Sequence, residues 1–199
     1  MCLPTFSGKK DLNRLYNLMM SYDFAGNEWK RFEFWDSKKK YTRNLIANVP
    51  GCLCLMLLCW NPEKGSPIHN HAGSECFMRV LRGRIVEQQF VVKGGEGDES
   101  ARQNWGKVTC SNIPPSDLIL TNKNVYESGG CTFINDSLGV HAIENPYKEA
   151  AITLHCYIPG YDTCKSWSQD VNESDPNKCV KIQQCHISYD TEVGERTHA

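Results

Sequence analysis

His69 and His71 stand two residues apart in GSPIHNHAGSECFMRVLRG, residues 65–83. On an extended strand that spacing turns both imidazoles to one face. Imidazole ligates iron, copper, zinc and nickel, so the pair reads as part of a transition-metal site. Gly65, Ser66 and Pro67 ahead of it form a turn signal, and CFMRVL behind it is a short apolar strand closed by Gly83. The unit is strand–turn–strand, with two candidate ligands at the lip of the turn. A third candidate, His141, lies in NDSLGVHAIEN, four residues before Asn145. Taken singly, the first two also fit a chance surface pair, and His141 fits a satisfied core histidine.

Non-haem iron oxygenases usually hold their metal with two histidines and a carboxylate. A site of three neutral histidines is one negative charge short of that, and a thiolate substrate makes up the charge. Further downstream Thr153, His155 and Tyr157 alternate along ITLHCYI, so all three face one side of a strand. Upstream, Tyr41 and Arg43 in YTRN share a face in the same way. A guanidinium forks onto a carboxylate through two parallel hydrogen bonds, although a surface arginine is the default for such a residue.

The elements that must position these groups follow from hydrophobic patterning. Lys10 to Tyr22 carries Leu12, Leu15, Tyr16, Met19 and Met20 on a helical period, with Asp11 near its start. Glu28 to Trp35 reads as a second short helix. From Tyr41 onward short apolar runs alternate with turn residues: CLCLMLLCW, CFMRVL, RIVEQQFVV, KVTC, DLILTN, CTFIND, HAIEN, AAITLHCYIPG and VKIQQCHISY. Gly94 to Ser100 (GGEGDES) is a polar hairpin or loop, NESDPNK is a polar loop, and GERTHA reads as a frayed end. Many short strands with regular turns imply an all-β barrel or jelly roll preceded by short N-terminal helices.

The 199 residues fit one domain, with a helical segment at about 10–36 and a β-barrel at about 41–190. A net charge of −1 offers no electrostatic case for nucleic acid or a membrane surface. No apolar run reaches the length of a membrane span, and MCLPTFSGKKDLNR lacks the order of a signal peptide. Eleven cysteines with no CxxC argue against a disulfide framework or a zinc ribbon, and for reduced thiols in a cytoplasmic protein.

Glycine, HxH, then a fourth position separated from Gly83 by six residues resembles the first motif of the cupin superfamily, whose fold is a jelly roll or double-stranded β-helix. In that register the fourth position is Cys76 rather than Glu75. The second cupin motif is matched by His141 and Asn145, with Gly139 one position closer to the histidine than usual and the usual proline missing. A cysteine in the first motif and the form NDS-x-G-x-H-x-x-EN are similar to the thiol dioxygenase branch. With YTRNL, LCW, HNHAGSECF, INDSLGVHAIEN and TLHCYIPGYDTC, the chain from about Tyr41 to Cys164 resembles eukaryotic cysteine dioxygenases.

That resemblance implies one Fe(II) per chain, held by His69, His71 and His141. L-cysteine and O2 would then give cysteine sulfinic acid in cysteine catabolism and taurine biosynthesis. It implies that the substrate thiolate and amine take two further positions at the iron and that Arg43 holds the substrate carboxylate. Tyr41 would line the pocket, Thr153 would stand where serine is usual, and His155 would orient Tyr157. A thioether between Cys76 and Tyr157 is implied too, against the plain alternative of one more core thiol. Ile158 and Gly160 depart from the usual Ser-Pro-Pro turn, and Ala142 replaces a common arginine. The rival readings are a dioxygenase of 3-mercaptopropionate or cysteamine and a non-catalytic metal- or thiol-binding cupin. Arg43 disfavours cysteamine, which has no carboxylate, and Cys76 disfavours the mercaptopropionate branch. The partners expected are the small thiol and O2, acting on a monomer.

Overall fold

The structure, a computed structural model, describes residues 9–104, 112–169 and 179–197. Helix α1 (Lys9–Ser21) and a 3-10 turn (Glu28–Phe32) precede the strands β1 (Tyr41–Val49), β2 (Leu53–Trp60), β3 (Lys64–Gly65), β4 (Ile68–His69) and β5 (Glu75–Arg82). These are followed by β6 (Arg84–Val92), β7 (Asn112–Ile113), β8 (Leu118–Glu127), β9 (Cys131–Ile134) and β10 (Val140–Asn145). The last are β11 (Ala151–Ile158), β12 (Thr163–Gln169), β13 (Val180–His186), β14 (Thr191–Glu192) and β15 (Glu195–Arg196). They form two sheets, ordered β15-β14-β1-β2-β11-β5-β9 and β7-β13-β12-β4-β10-β6-β8, with β3 pairing β10. This is an all-β jelly roll preceded by a short helical segment, as the strand pattern predicts.

Alternation along the strands builds two apolar layers from one sheet. Met56, Leu58 and Trp60 of β2 join Met78, Val80, Ile85 and Ile143 between the sheets. Leu57 and Cys59 of the same strand face outward and are covered, with Phe77, Ile152 and Leu154, by Met19, Trp29 and Phe32. A strand buried on both faces reads as a continuous apolar run. That is why CLCLMLLCW carries no polar alternation. Leu12, Leu15 and Tyr16 of α1 pack on this outer layer, whereas Met20 is exposed.

Four expectations need correction. Gly65 is not in a turn but in β3, opposite Glu144, where an added Cβ would meet the Ile143 carbonyl at 2.9 Å. The second helix is a 3-10 turn that stops at Phe32. TCKSWSQ forms β12, which its polar composition concealed: Trp167 is buried outward, while Cys164 and Ser166 line a cavity. Within GERTHA, Glu195 and Arg196 are not frayed, because β15 pairs with β14 and β14 runs parallel to β1, whereas residues 198–199 lie outside the described residues. The KVTC strand, the NESDPNK loop, Cys2 and Cys110 lie outside the described residues. No helix among the described residues is long and apolar enough to cross a membrane.

Candidate metal centre and substrate cavity

Strand register brings the three histidines together. His69 lies directly opposite His141 across the β4–β10 pair, and His71 follows in the turn after β4 rather than on the strand. That turn is pinned by Asp136, whose carboxylate accepts the His71 N–H at 2.8 Å and the Gly73 N–H at 2.7 Å. The loop carrying Asp136 passes close behind β6 at Gly139 (φ +126), where a Cβ would stand 2.1 Å from the Phe90 carbonyl oxygen. Only glycine fits there, which explains its position before the histidine.

One ligand nitrogen from each of the three histidines lies within 4.8 Å of the others. His69 Nδ1 stands 3.0 Å from the Pro67 carbonyl, which can only accept, so this nitrogen carries the proton and Nε2 keeps its lone pair. Burial, then the neighbouring His141, pushes the His69 pKa down to about 3, and burial holds His71 well below its ordinary value. Both rings are therefore neutral ligands at physiological pH. His141 Nδ1 lies 2.7 Å from Glu87 Oε1, and the second Glu87 oxygen accepts the Thr132 hydroxyl at 2.9 Å. A carboxylate behind a ligating histidine fixes its tautomer and raises its basicity.

The donor set fits a transition-metal ion. With its Nδ1–H directed to Glu87, His141 presents a lone pair at Nε2, only 3.1 Å from His71 Nε2. Two nitrogens bound at right angles to one cation, each at about 2.1 Å, would stand about 3.0 Å apart. His71 Nδ1 is buried without a partner, so among the described residues this ring's one polar neighbour is His141, through Nε2.

Beside the histidines is a cavity of about 70 Å³, whose walls include Tyr41, Arg43, His155, Tyr157, Tyr161 and Cys164. Arg43 Nη2 donates to the Tyr41 hydroxyl at 2.7 Å, and Tyr41 packs against Trp60 in a tilted arrangement, ring centroids 4.6 Å apart and planes at 34°. Among the described residues Arg43 forms no ion pair. A buried guanidinium with no anion is costly unless a ligand supplies one.

β11 delivers the rest. Thr153, His155 and Tyr157 all face inward, and Trp60 Nε1 donates to Thr153 Oγ1 at 2.8 Å. Thr153 Oγ1 lies 2.8 Å from His155 Nε2, and His155 Nδ1 lies 3.0 Å from the Tyr157 hydroxyl. Tyr157 is directly opposite Cys76 across β5–β11. Cys76 points into the inner core, whereas Glu75 points away and accepts from Asn135 Nδ2 at 2.9 Å. This settles which of the two neighbours faces the site. Burial first, with Tyr161 and Cys76 adding to it, holds the Tyr157 phenol well above its ordinary value. The Ile158–Pro159 peptide is cis.

A family model described as cysteine dioxygenase type I matches residues 6–170. The chain belongs to that family. It is similar to cysteine dioxygenase type 1 of Danio rerio, 31% identical over 189 residues, which span 94% of this chain and 81% of that protein. It is likewise 31% identical to the Homo sapiens protein of that name over 166 residues, 82% of this chain and 74% of the other. Among solved structures it resembles a double-stranded β-helix protein from Klebsiella pneumoniae, with TM-score 0.45, 14% identity, and 66% and 86% of the two chains covered.

Three residues beside the family motifs escaped sequence reasoning. Glu87 shares the inward parity of Ile85 on β6, and a carboxylate on the buried face of an apolar strand is itself a signal that a cationic or N–H partner waits there. Asp136 sits inside the NDS motif but was given no task. Tyr161 packs edge-on to Tyr157 at 5.1 Å and to His71 at 6.3 Å. Its place in YIPGYDTC gave no periodic cue.

Proposed function

We propose that the chain is a non-haem Fe(II) thiol dioxygenase that converts L-cysteine and O2 to cysteine sulfinic acid. The observation that carries this reading is a cavity of about 70 Å³ whose wall holds both Arg43, which forms no ion pair among the described residues, and His69, one member of the three-histidine group. Family membership points the same way. One Fe(II) held by His69, His71 and His141 would supply O2 activation beside the substrate thiolate.

The protein's own groups bind and orient. Arg43 takes the substrate carboxylate with the N–H groups that Tyr41 leaves free. So small a cavity favours a small thiol over a longer thiol peptide. Trp60 Nε1–H can only donate, so we assign the Thr153 hydroxyl as acceptor from Trp60 and donor to His155 Nε2. His155 Nδ1–H then donates to Tyr157, which leaves the phenol proton directed to the cavity, where it can hydrogen-bond to developing charge on oxygen.

In this reading Cys76 and Tyr157 become joined by a thioether, which their direct opposition across β5–β11 supports. Forming the C–S bond removes the thiol hydrogen and one ring hydrogen, and the two electrons and two protons pass to O2. The absence of any disulfide among the nine cysteines described fits a reducing compartment. We accordingly read the protein as a cytoplasmic monomer of one cupin domain that acts in cysteine catabolism.

The test is oxygen uptake by the Fe(II)-loaded protein with L-cysteine, cysteamine and 3-mercaptopropionate in parallel, with products weighed by mass spectrometry. Uptake with L-cysteine that yields sulfinate and is lost in Arg43→Ala is expected. No uptake with any thiol despite bound iron overturns the enzyme reading in favour of a binding cupin. The intact mass should include a species lighter by two hydrogens that is absent in Cys76→Ser.

A further inference from the structure

The segment after β13 is attached to the substrate side of the barrel more closely than its polar composition suggests. Ile187 forms part of the cavity wall. Tyr189 packs on the inner core, with its hydroxyl 3.4 Å from Cys54 Sγ. Asp190 then meets β1 at one residue, Arg43. Its backbone N–H donates to the Arg43 carbonyl at 2.7 Å, and its Oδ2 accepts the Arg43 backbone N–H at 2.9 Å.

Those two backbone groups of Arg43 point away from β2, toward a β14 that is only two residues long. Without Asp190 they would have no ladder partner at the residue whose side chain enters the cavity. The clamp is itself braced. Oδ1 of Asp190 pairs with Lys39, the Thr197 N–H donates to the Asp190 carbonyl at 3.1 Å, and Thr191 Oγ1 donates to Asn44 Oδ1 at 3.1 Å. The Asp190 carboxylate is thus used on backbone N–H and on Lys39, not on the guanidinium. An acid that fixes the arginine's main chain leaves the side chain's charge free for a ligand.

We propose that Asp190 is a positioning residue for recognition of the substrate carboxylate, fixing the Arg43 backbone so that the guanidinium meets that group in one geometry. This rests on Arg43 as the carboxylate binder. Loss of the clamp weakens binding of carboxylate-bearing thiols and leaves carboxylate-free thiols alone, a selectivity that a general loss of structure does not produce.

The test measures three constants on the iron-loaded enzyme: KM for L-cysteine, and Ki for 3-mercaptopropionate and for cysteamine as competitors. Asp190→Ala should raise the first two together by about 10-fold or more, the scale of one hydrogen bond to a charged group, with the cysteamine Ki unchanged. Asp190→Asn, which keeps an acceptor oxygen for the Arg43 N–H, should restore most of the affinity. Lys39→Met, which removes only the exposed ion pair, should stay within about 2-fold. Should Asp190→Ala fail to fold, Asp190→Glu displaces the carboxylate while keeping its charge and is read by the same ratio. Equal losses for all three thiols, or none, overturn the proposal. Arg43→Ala is the companion: if it fails to spare cysteamine, the carboxylate reading of Arg43 falls and the Asp190 proposal with it. If Arg43→Ala discriminates and the Asp190 variants do not, the clamp alone is wrong.

Discussion

The two faces of β11 share one backbone and do opposite work. Thr153, His155 and Tyr157 face inward, toward the histidines. Ile152, Leu154, Cys156 and Ile158 face outward, under α1 and the 3-10 turn. Both sides are equally dry, as every residue of the strand is buried. Burial alone therefore does not mark chemistry, and partners do. The inward polar groups are tied to one another or to Trp60, while the outward layer is apolar apart from its thiols. Cysteine shows this best. Cys76 and Cys156 are both buried and both raised by burial, yet Cys76 faces the inner core with Tyr157 while Cys156 faces the outer layer.

The sharpest break of this comparison pairs one substitution per face. His141→Ala should abolish turnover, by at least about 10³-fold, because the metal contributes several kcal/mol of stabilisation. Bound iron, read by elemental analysis, should fall with it, and the melting temperature should fall too because the buried Glu87 loses its partner. Leu154→Ala on the outer face should lower stability by about 2–5 kcal/mol, read by urea unfolding, with KM and kcat of the folded fraction unchanged. If Leu154→Ala instead changed KM in folded protein, the two faces would be coupled and the division between them lost.

Glu87→Gln probes the support behind the inner face. The amide keeps an oxygen for Thr132 or His141 but loses the charge that favours the Nδ1–H tautomer of His141. A loss of about 10- to 100-fold in iron affinity is expected, the usual scale for a partner behind a ligating histidine. Iron-binding isotherms check it.

Legibility divides along a related line. HxH, HxxxN and the alternating Thr153, His155, Tyr157 are near neighbours in the chain, so local spacing read together with the family resemblance exposed them. The jelly roll was legible for the same reason, through short runs and turns. Glu87 reaches His141 across 54 residues, Asp136 reaches His71 across 65, and Asp190 reaches Arg43 across 147. Such partners exist only once strands are registered, and no local period announces them. β12 escaped because Trp167 is its one large apolar residue, with Cys164 and Ser166 lining the cavity and polar residues between, which makes a strand look like loop.

The outward thiols give a pH test. Burial pushes Cys59, Cys131 and Cys156 up to about 11 from an ordinary value of 9.0. The unfolded chain ionises these thiols first. Their contribution to stability is therefore complete below pH 9 and drains away as pH rises from 9 toward 11. For Cys156 the loss at pH 10 should be about 1 kcal/mol. Unfolding midpoints at pH 8 and pH 10 should converge by that amount in Cys156→Val, and an unchanged difference would remove burial of this thiol as its cause.

The smallest effect is the most discriminating, because it removes one methyl group from each face at adjacent residues. Ile152 and Thr153 are both fully shielded from solvent. Ile152→Val and Thr153→Ser should each cost about 0.5–1.5 kcal/mol of stability, the range for a buried methyl group. Their kinetics should also agree, each within about 2-fold of the parent, since serine keeps the oxygen that accepts from Trp60 and donates toward His155. The pH profile of kcat separates them. Ile152→Val should leave it unmoved, as its side chain touches no titrating group. Serine has a freer χ1 than threonine, so any shift belongs to Thr153→Ser alone. A shift in Ile152→Val instead would place the outer layer within the machinery and erase the distinction between the two faces.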